Sequence, residues 1–338
     1  MIPLPVIEPN LLDAPAIAAL QAEIRALAAS RGAVILAHNY QRSEVQDVAH
    51  FVGDSLGLSR EAARTDAAVI VFCGVHFMAE TAAILSPQKR VLIPSLLAGC
   101  SLADGITAED VRTWRAQHPD HVAVGYVNTT ADVKAELDYC CTSGNVLEVI
   151  DAIPADRGIL FLPDFFLGQH VKRHRPDRDV KVWLGECHVH AGITSDRILE
   201  IAATDPSTEF LVHPECGCAG QLVYAAGLGE LDAVKLHIAS TEGMINLVTS
   251  RPAQRFVIAT ETGIIHRMEQ AAPSKTFVAA DDRAVCAYMK TITLENTRDA
   301  LLHDQFHVTV PPEIAARARA SVDRMVALGP ATANRPGD

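Results

Sequence analysis

Three of the eight cysteines in this chain of 338 residues are followed by closely matching residues. Cys100, Cys187 and Cys286 lie 87 and 99 residues apart, and five positions beyond them the chain reads GIT, GIT and TIT. Each of those threonines precedes acidic residues and an apolar-periodic segment, which is typical of a helix N-cap. We therefore expect three copies of one unit, each of which presents one thiol from an equivalent loop.

Three thiolates that meet at one point can bind an iron–sulfur cluster. Clusters of the [4Fe–4S] type usually have four Cys ligands, so a set of three leaves one iron free. That iron can bind a substrate oxygen and act as a Lewis acid. Because a lone loop cysteine is more often a small buried hydrophobic residue, it is the repeat that favours metal binding by Cys100, Cys187 and Cys286.

A second repeat concerns the polar residues at the ends of β-rich runs. His38, Tyr126 and His213 are spaced by 88 and 87 residues, and each ends the first such run of a copy. Two positions further on, every copy has another polar residue, namely Tyr40, Asn128 and Glu215. Residues two apart in a strand share a face, so these pairs are predicted to form a ring of acid and base groups. The alternative is that polar residues at strand ends merely contact water.

Each copy also contains a small polar turn ahead of a helical segment. Ser55 and Ser143 lie 17 residues after the strand ends of their copies, and Thr241 lies 28 residues after that of the third. A turn of this kind at a helix start offers free N–H groups, which suit a carboxylate or a phosphate. These three residues are therefore predicted to bind an anionic ligand.

The remaining cysteines have simpler interpretations. Cys73 lies in an apolar run and is expected in the core, whereas Cys140 and Cys141 are expected to pack ahead of a helix start. Cys216 and Cys218 form a C-x-C motif, which can bind zinc or form a redox pair, and their role stays open.

His190 lies three residues after Cys187 and is predicted to point into the site, whereas His188 is expected to be structural. The chain has no GxGxxG, Walker A, HExxH or GxSxG motif, which argues against nucleotide, zincin and esterase chemistry. Two alternatives stay open. One is a zinc-dependent lyase or aldolase that uses His38, His190 and His213. The other is a non-enzymatic iron–sulfur sensor.

The elements that position these residues are short strands alternating with helical patterns, which is typical of an α/β fold with parallel sheets. Nine β-rich runs fall into three triplets, and each triplet ends shortly before one of the three matched cysteines. The runs cover residues 34–40, 68–74, 90–96, 121–128, 158–164, 180–186, 209–215, 255–261 and 276–281. We therefore expect three pseudo-equivalent three-layer α/β domains about a pseudo-threefold axis. The site should lie at the centre, where the carboxyl ends of the strands converge.

The predicted domains are residues 1–97 together with 288–338, residues 98–185, and residues 186–287. The helical segment after Cys286 has no fourth unit to lead into, so it is expected to pack back on the first domain. Residues 1–9 and 329–338 are expected to be a loose arm and a disordered tail.

Composition excludes several classes of partner. The formal net charge is −12, from 29 Lys and Arg against 41 Asp and Glu. No basic run interrupts this acidity, so neither nucleic acid nor an anionic membrane is an expected partner. The longest apolar stretch, residues 67–75, has about half the length that spans a bilayer, and the N-terminus lacks the pattern of a signal peptide. A cytoplasmic protein is therefore expected, with cysteines that are thiols or metal ligands.

Several longer motifs resemble those of the quinolinate synthase family, which acts second in de novo NAD biosynthesis. In chain order they are LAHNYQ, GDSLGLSR, FMAETAAIL, GCSLAD, GYVNTTADVKAELDYCCTSGN, HPECGC, STEGMI and ATETGIIHRM, and the resemblance covers about residues 30–302. It implies that iminosuccinate condenses with dihydroxyacetone phosphate to give quinolinate, with loss of phosphate and two waters. It also implies an oxygen-sensitive [4Fe–4S] cluster on Cys100, Cys187 and Cys286. A transient contact with an upstream L-aspartate oxidase stays open.

Residue by residue, the resemblance implies that Tyr40 and Glu215 are the acid–base groups and that His190 lies close to the open iron. It implies further catalytic roles for His38 and Tyr126. The substrate-binding residues that it implies are His38, Ser55, Tyr126, Val127, Asn128, Ser143, His213, Glu215 and Thr241. Some members of the family carry C-x-x-C-x-x-C at the last ligand, whereas the motif CAYMK offers Cys286 alone.

Overall fold

The computed structural model describes residues 4–7 and 9–329 of the chain. Over these residues twelve strands form three four-stranded sheets, and all pairings within the sheets are parallel. The strands are β1 (Ala33–His38), β2 (Phe51–Gly53), β3 (Val69–Cys73), β4 (Arg90–Leu92), β5 (His121–Tyr126), β6 (Tyr139–Cys141), β7 (Gly158–Leu162), β8 (Val180–Val182), β9 (Glu209–Val212), β10 (Leu236–Ile238), β11 (Arg255–Ala259) and β12 (Thr276–Ala279). Of the predicted arm (residues 1–9) and tail (residues 329–338), residues 1–3, 8 and 330–338 lie outside the described residues, so both stay predictions. Residues 4–7 and 9 belong to neither a helix nor a strand.

The three sheets share one topology. In each set of four strands the spatial order is second, first, third, fourth, so the first and third strands lie in the centre. The central strands β1, β5 and β9 are buried along almost their whole length. This burial is expected where helices cover both faces of a parallel sheet. The predicted α/β fold with three equivalent short parallel sheets is confirmed.

The strands that the sequence did not predict are β2, β6 and β10, the second strand of each sheet. Each has three residues and lies at a sheet edge. The strands β4 and β8 are equally short, but each lies within a longer β-rich run that made it recognisable. Cys140 and Cys141 are buried ahead of a helix start, as expected, and belong to β6. Every predicted run contains a strand, but the strands end earlier than the runs. In the run 90–96, for example, β4 ends at Leu92 and Leu96 is 64% exposed.

Helices connect the strands and cover the sheets. They are α1 (Ala14–Ser30), α2 (Ser43–Gln46), α3 (Ser55–Arg64), α4 (His76–Leu85), α5 (Ala108–Gln117), α6 (Ala131–Lys134), α7 (Val146–Asp151), α8 (Phe165–His174), α9 (His188–Ala191), α10 (Asp196–Thr204), α11 (Ala219–Gly227), α12 (Thr241–Ser250), α13 (Ile264–Ala271), α14 (Leu294–His303) and α15 (Pro312–Ala327). Helix α11 lies in the connection from β9 to β10, which explains why the polar turn comes later in the third copy than in the others. Among the described residues, no helix combines the length and the apolar character that a bilayer crossing needs.

Two of the three predicted threonine N-caps are present. Thr107 and Thr293 each form a capping box at the start of α5 and α14, which satisfies N–H groups that would otherwise lack partners. The prediction for Thr194 is wrong, because the N-cap of α10 is Ser195. The Ser195 hydroxyl donates to the side chain of Gln221 at 2.5 Å instead of capping the helix.

The segment after Cys286 returns to the first sheet. Helix α14 packs against α1 and β3, and α15 packs against α4 of the first sheet and against α6 and β6 of the second. Since α15 contacts elements of two sheets, the domain boundaries near residues 97, 185 and 287 stay a prediction.

Candidate active site

The loops that carry the three cysteines are fixed to the sheets by the same hydrogen bond. The residue three positions beyond the third strand of each sheet donates its backbone N–H to the carbonyl of the residue two before the cysteine. The three bonds run from His76 to Ala98 (2.7 Å), from Phe165 to Gly185 (2.7 Å) and from Thr262 to Ala284 (3.0 Å). The repeat that the sequence predicts is therefore present in the backbone hydrogen bonds at all three cysteine loops.

The three thiols line one cavity, which they share with side chains from all three sheets. Burial raises the pKa of Cys100 to about 12, that of Cys286 to about 11, and that of Cys187 well above its ordinary value. The charge of Cys187 is further disfavoured by Glu215 and then by Cys100 and Cys286, with which it shares the cavity. Three partly buried thiols in one cavity are a donor set that a positive cofactor would convert to thiolates.

Backbone N–H groups already point at the three sulfurs. In each loop the residue three positions beyond the cysteine donates a hydrogen bond that favours the thiolate; these residues are Ala103, His190 and Met289. Such bonds to a coordinating sulfur are typical of iron–sulfur sites. The cysteine loops therefore fit a cluster held by three thiolates.

His38 is the last residue of β1, and Tyr40 follows two positions later. The Nδ1 of His38 accepts the backbone N–H of Tyr40 at 3.2 Å, and the two rings meet edge to face with centroids 4.6 Å apart. Burial, and next the neighbouring His213, lowers the pKa of His38 to about 3. Burial raises the pKa of Tyr40 well above its ordinary value. At neutral pH the pair is thus an uncharged imidazole and a protonated phenol.

Glu215 lies between two histidines. Its Oε2 is 3.2 Å from His213 Nδ1 and 3.4 Å from His190 Nδ1, and the two imidazole rings stack with centroids 4.7 Å apart. Burial raises the pKa of Glu215, but His190, His213 and the Tyr126 hydroxyl together outweigh it and hold this pKa below its ordinary value. Burial lowers the pKa of His190 to about 3. The site therefore combines the Glu215 carboxylate with a neutral His190 imidazole at neutral pH.

Thr260 joins Tyr40 to His190. Its hydroxyl oxygen is 2.5 Å from the Tyr40 hydroxyl oxygen and 2.8 Å from His190 Nε2. The sequence analysis did not identify Thr260 as a functional residue, because a threonine carries no chemical signal of its own. Its position directly after β11, at the carboxyl end of a central strand, is the feature that could have identified it.

Three polar turns meet on one side of the cavity. Ser55 and Thr241 are the first residues of α3 and α12, so N–H groups at both helix starts face this region. A Cβ atom on Gly144, next to Ser143, would lie 3.3 Å from Ser240 Oγ and 3.4 Å from an Asp54 carboxylate oxygen. The turns of three different sheets are thus within contact distance, as the predicted repeat requires.

Asn39 supports Thr241 from the first sheet. Its side-chain nitrogen donates to Thr241 Oγ1 at 2.9 Å, and its side-chain oxygen accepts from Arg267 at 2.8 Å. Arg267 in turn forms two hydrogen bonds, of 2.7 and 3.1 Å, with Glu242. This network fixes the Thr241 hydroxyl at the start of α12.

Comparison with known proteins decides the family. The chain matches the family model for "Quinolinate synthetase A protein" over residues 22–327. It belongs to the quinolinate synthase family. The chain is 53% identical to the quinolinate synthase of Mycobacterium sp. (strain KMS) over 308 residues, which are 91% of each chain. It is also 53% identical to that of a Thermus thermophilus strain over 311 residues, or 92% of this chain and 98% of the relative. The enzyme of Mycobacterium tuberculosis (strain ATCC 25177 / H37Ra) is 52% identical over 308 residues, or 91% of this chain and 88% of the relative.

Most of the residues that the resemblance to quinolinate synthases implied are brought together. Those that line the cavity are His38, Tyr40, Ser55, Cys100, Tyr126, Asn128, Ser143, Cys187, His190, His213, Glu215, Thr241 and Cys286. Val127 is not among them. Its N–H donates to the Cys141 carbonyl, and its own carbonyl accepts from Lys134. His188, expected to be structural, also lines the cavity and contacts the Ser101 hydroxyl at 2.7 Å.

Cys216 and Cys218 form a disulfide next to Glu215. Both residues are buried. Thiols or metal ligands were expected for the cysteines in general, whereas for this C-x-C motif a zinc site or a redox pair stayed open. The structure has the disulfide, which is the oxidised form of such a pair. The pair is therefore separate from the three matched cysteines, which are free thiols.

Proposed function

We propose that this chain is a quinolinate synthase, which condenses iminosuccinate with dihydroxyacetone phosphate to quinolinate and releases phosphate and two waters. The observation that carries the proposal is that one thiol from each of three sheets meets acid, base and anion-binding groups in one cavity. The family match supports the same reaction. We place the protein in the cytoplasm and infer that an L-aspartate oxidase is its transient partner, since the substrate imine is unstable in water.

In this proposal Cys100, Cys187 and Cys286 hold one [4Fe–4S] cluster. Their shared cavity and the N–H groups directed at the sulfurs support the assignment. When bound, the cluster supplies one iron with an open position, which acts as a Lewis acid on a substrate oxygen. Everything else in the reaction is assigned to side chains and backbone groups of the chain.

The substrates carry carboxylates and a phosphate, so the cavity must bind anions. Among the described residues that line it there is neither Lys nor Arg, and binding therefore depends on neutral donors. The N–H groups and the first hydroxyls of α3 and α12, Ser55 and Thr241, provide donors along two helix dipoles. Ser143 adds a hydroxyl. The side-chain oxygen of Asn128 is buried without a hydrogen-bond partner among the described residues; because an amide oxygen accepts, we assign it to a substrate hydroxyl or imine N–H.

Isomerisation, imine formation and dehydration each move a proton. We assign the role of general base to Glu215, because its pKa is held below the ordinary value and its carboxylate is ionised at neutral pH. We assign the acid to Tyr40, whose raised pKa keeps it protonated. A proton that Tyr40 gives to the substrate can be replaced through the Thr260 hydroxyl from the Nε2–H of His190, 2.8 Å away. His190 then takes up a proton on Nδ1 from Glu215, which has received one from the substrate as the base and lies 3.4 Å away.

His38 and Tyr126 are the two further residues to which we assign roles in the reaction. Because His38 Nδ1 accepts the Tyr40 N–H, the proton of the neutral ring lies on Nε2, and that N–H can donate to a substrate oxygen. The Tyr126 hydroxyl interacts with Glu215 and with Ser143. It therefore orients the base toward the side of the cavity where the anion-binding turns meet.

A zinc-dependent lyase or aldolase is the second candidate function. One observation favours it: ligand atoms of His190, His213 and Glu215 lie within 4.8 Å of one another. The set suggested by sequence has His38 in place of Glu215. In the structure His38 Nδ1 accepts the Tyr40 N–H and is therefore not available as a metal ligand. The zinc assignment gives no role to the three matched thiols, so we favour the cluster.

The deciding experiment is purification of the full chain without oxygen, followed by metal analysis and an assay for quinolinate. We expect a brown protein with about four irons per chain that forms quinolinate from the two substrates. A colourless protein with one zinc would support the lyase. A protein that binds iron but forms no quinolinate would support an iron–sulfur sensor.

A further inference from the structure

Glu261 holds the backbone of Cys286. It lies two residues beyond β11 and is fully buried. Its Oε1 accepts the Cys286 N–H at 3.1 Å, and its Oε2 accepts the Gly263 N–H at 2.7 Å. A buried carboxylate is costly unless it is paired and hydrogen-bonded, and both oxygens are satisfied here by groups close to the third cysteine.

Lys290 is the cation that pairs with Glu261. Its Nζ lies 3.0 Å from Glu261 Oε1 and donates to the Tyr40 carbonyl at 2.5 Å. The Lys290 carbonyl accepts two hydrogen bonds from Arg42, of 3.0 and 2.8 Å. Lys290 comes four residues after Cys286, whereas Tyr40 and Arg42 follow β1 of the first sheet. The ion pair therefore connects the turn of the third cysteine to the loop that carries the proposed acid.

Gly263 packs closely against both the Glu261–Lys290 ion pair and the loop that carries Gln41. A Cβ atom at Gly263 would lie 2.7 Å from Lys290 Nζ, 2.8 Å from Glu261 Oε2 and 2.9 Å from the Gln41 carbonyl oxygen. Real Cβ atoms do not approach other heavy atoms so closely, and one of the contacts is to backbone, which cannot rotate away. Only glycine at this position lets the ion pair and the loop of Gln41 come together.

The repeated fold does not by itself require a paired carboxylate at the position of Glu261. The equivalent positions, two residues beyond β3 and β7, are Val75 and Asp164. Val75 has no polar side-chain atom. Asp164 uses its Oδ1 to cap α8 through the Leu167 N–H at 2.6 Å, and its Oδ2 has no hydrogen-bond partner among the described residues. An ion pair at the cysteine loop is thus a feature of the third copy.

We propose that Glu261 and Lys290 are positioning residues, which fix the Cys286 turn and the Tyr40 loop relative to each other. The inference rests on the proposed function, in which Cys286 is a cluster ligand and Tyr40 the acid. The pair is neutral as a whole, so it orders both segments without adding net charge beside the cluster. Loss of the pair should loosen both segments, whereas the other two cysteine loops keep their backbone hydrogen bonds.

The test compares Glu261→Ala, Glu261→Gln and Lys290→Met with a matched control, Glu209→Gln, in the full chain loaded with iron and sulfide. Glu209 is also a buried carboxylate, paired with Arg251 at 2.7 Å, but it lies at the opposite end of the same sheet, at the start of β9. Three quantities are measured: hydrogen exchange of backbone amides in residues 284–290 and 39–42, the rate of iron loss to a chelator, and kcat and KM.

Glu261→Ala should speed exchange in residues 284–290 and iron loss by about tenfold each, as expected for loss of one hydrogen bond to a charged group. Exchange in residues 98–103, around Cys100, should not change. Glu261→Gln keeps an oxygen for the Cys286 N–H and should restore much of the protection. Lys290→Met should speed exchange in residues 39–42 and lower kcat more than it changes KM, since the loosened segment carries the acid.

Equal effects of Glu261→Ala and Glu209→Gln on exchange and iron loss would overturn the proposal, because the pair would then only stabilise the fold. A wild-type chain that binds no iron would overturn the proposed function instead. Exchange in residues 284–290 and 39–42 would still decide whether the ion pair orders these two segments.

Discussion

The hydroxyl oxygen of Thr260 lies 2.5 Å from that of Tyr40, although the two residues follow strands of different sheets and are 220 positions apart in the chain. The same Thr260 oxygen is 2.8 Å from His190 Nε2. A hydroxyl has one proton to donate and two lone pairs to accept. Thr260 can therefore pass a proton between Tyr40 and His190 while it holds the phenol in place.

Replacing Thr260 with valine tests this connection. The change keeps the shape of the side chain and removes the hydroxyl, so we expect kcat to fall by about tenfold to a hundredfold, with KM and iron content almost unchanged. Steady-state kinetics measure kcat and KM, and iron analysis measures the iron content. The control is Thr249→Val on α12, where the hydroxyl bonds only to carbonyls of its own helix. Wild-type kcat in Thr260→Val would contradict the relay.

Tyr40→Phe and Glu215→Gln test the acid and the base. Each removes one proton-transferring group and keeps its size, so kcat should fall by about 10²–10⁴, whereas the visible spectrum of the cluster should remain. The measurement is turnover together with absorption on the same sample. Tyr139→Phe, on the edge strand β6, is the matched control for the phenol and should keep full activity. Full turnover in either site variant would show that the assignment is wrong.

Replacement of the cysteines one at a time tests the cluster ligands. Cys100→Ala, Cys187→Ala and Cys286→Ala should each abolish the visible absorption and lower the bound iron, because three thiolates leave no spare ligand. Cys73→Ala is the control, since burial in β3 raises the pKa of Cys73 to about 12 and the residue does not line the cavity. A coloured, iron-loaded Cys187→Ala variant would rule out the proposed ligand set.

Much of the fold could be predicted from sequence, because long runs of β-forming residues mark the central strands. The nine predicted runs all contain strands, whereas β2, β6 and β10 have three residues each and show no periodicity. The cap at Thr194 was predicted wrongly, because Ser195 holds the N-cap position of α10 and its hydroxyl bonds to Gln221 instead of capping the helix. Local pattern indicates a helix start but does not fix it to the residue.

The site also contains some residues that could be predicted from sequence and others that could not. His38, Tyr126 and His213 could be predicted, because the repeat sets them at matching strand ends. Thr260 and Glu261 could not, since what defines them is a contact with Tyr40 or Cys286 that depends on how the sheets pack together. The spacing of residues along the chain predicts equivalent positions in the three copies of the unit. Which residues of different copies come into contact depends on how the copies pack, and only the structure shows this.

Asn39→Ala should weaken substrate binding without loss of the cluster. Asn39 donates to Thr241 Oγ1 at 2.9 Å and thereby orients a hydroxyl at an anion-binding helix start. We expect KM for at least one anionic substrate to rise about threefold to tenfold, which corresponds to about 1 kcal/mol for one hydrogen bond. Arg267→Gln removes the partner of Asn39 and Glu242 but keeps the hydrogen bond from Asn39 to Thr241, so it should raise KM less. Unchanged KM in Asn39→Ala would show that the hydroxyl does not need this partner.

His170 makes the stability of the fold depend on pH. It is buried on α8, and its Nδ1 has no hydrogen-bond partner among the described residues. Burial, and then the charges of His174, Arg173 and His213, lowers its pKa from 6.5 to about 3. Protons therefore bind the unfolded state more tightly than the folded one. The fold has its full stability above pH 6.5 and loses it as the pH falls from 6.5 toward 3.

At pH 5.5 this one group should cost roughly 1 kcal/mol of unfolding free energy relative to pH 8. His38 and His190, whose pKa values are also lowered to about 3 by burial, should add similar losses. His170→Gln should therefore remove about a third of the combined loss, as measured by denaturant unfolding of the cluster-free chain at both pH values. Gln169→Ala, its neighbour on α8, is the non-titrating control. If His170→Gln lost as much stability as the wild type between pH 8 and 5.5, protonation of His170 would not be a source of the acid sensitivity.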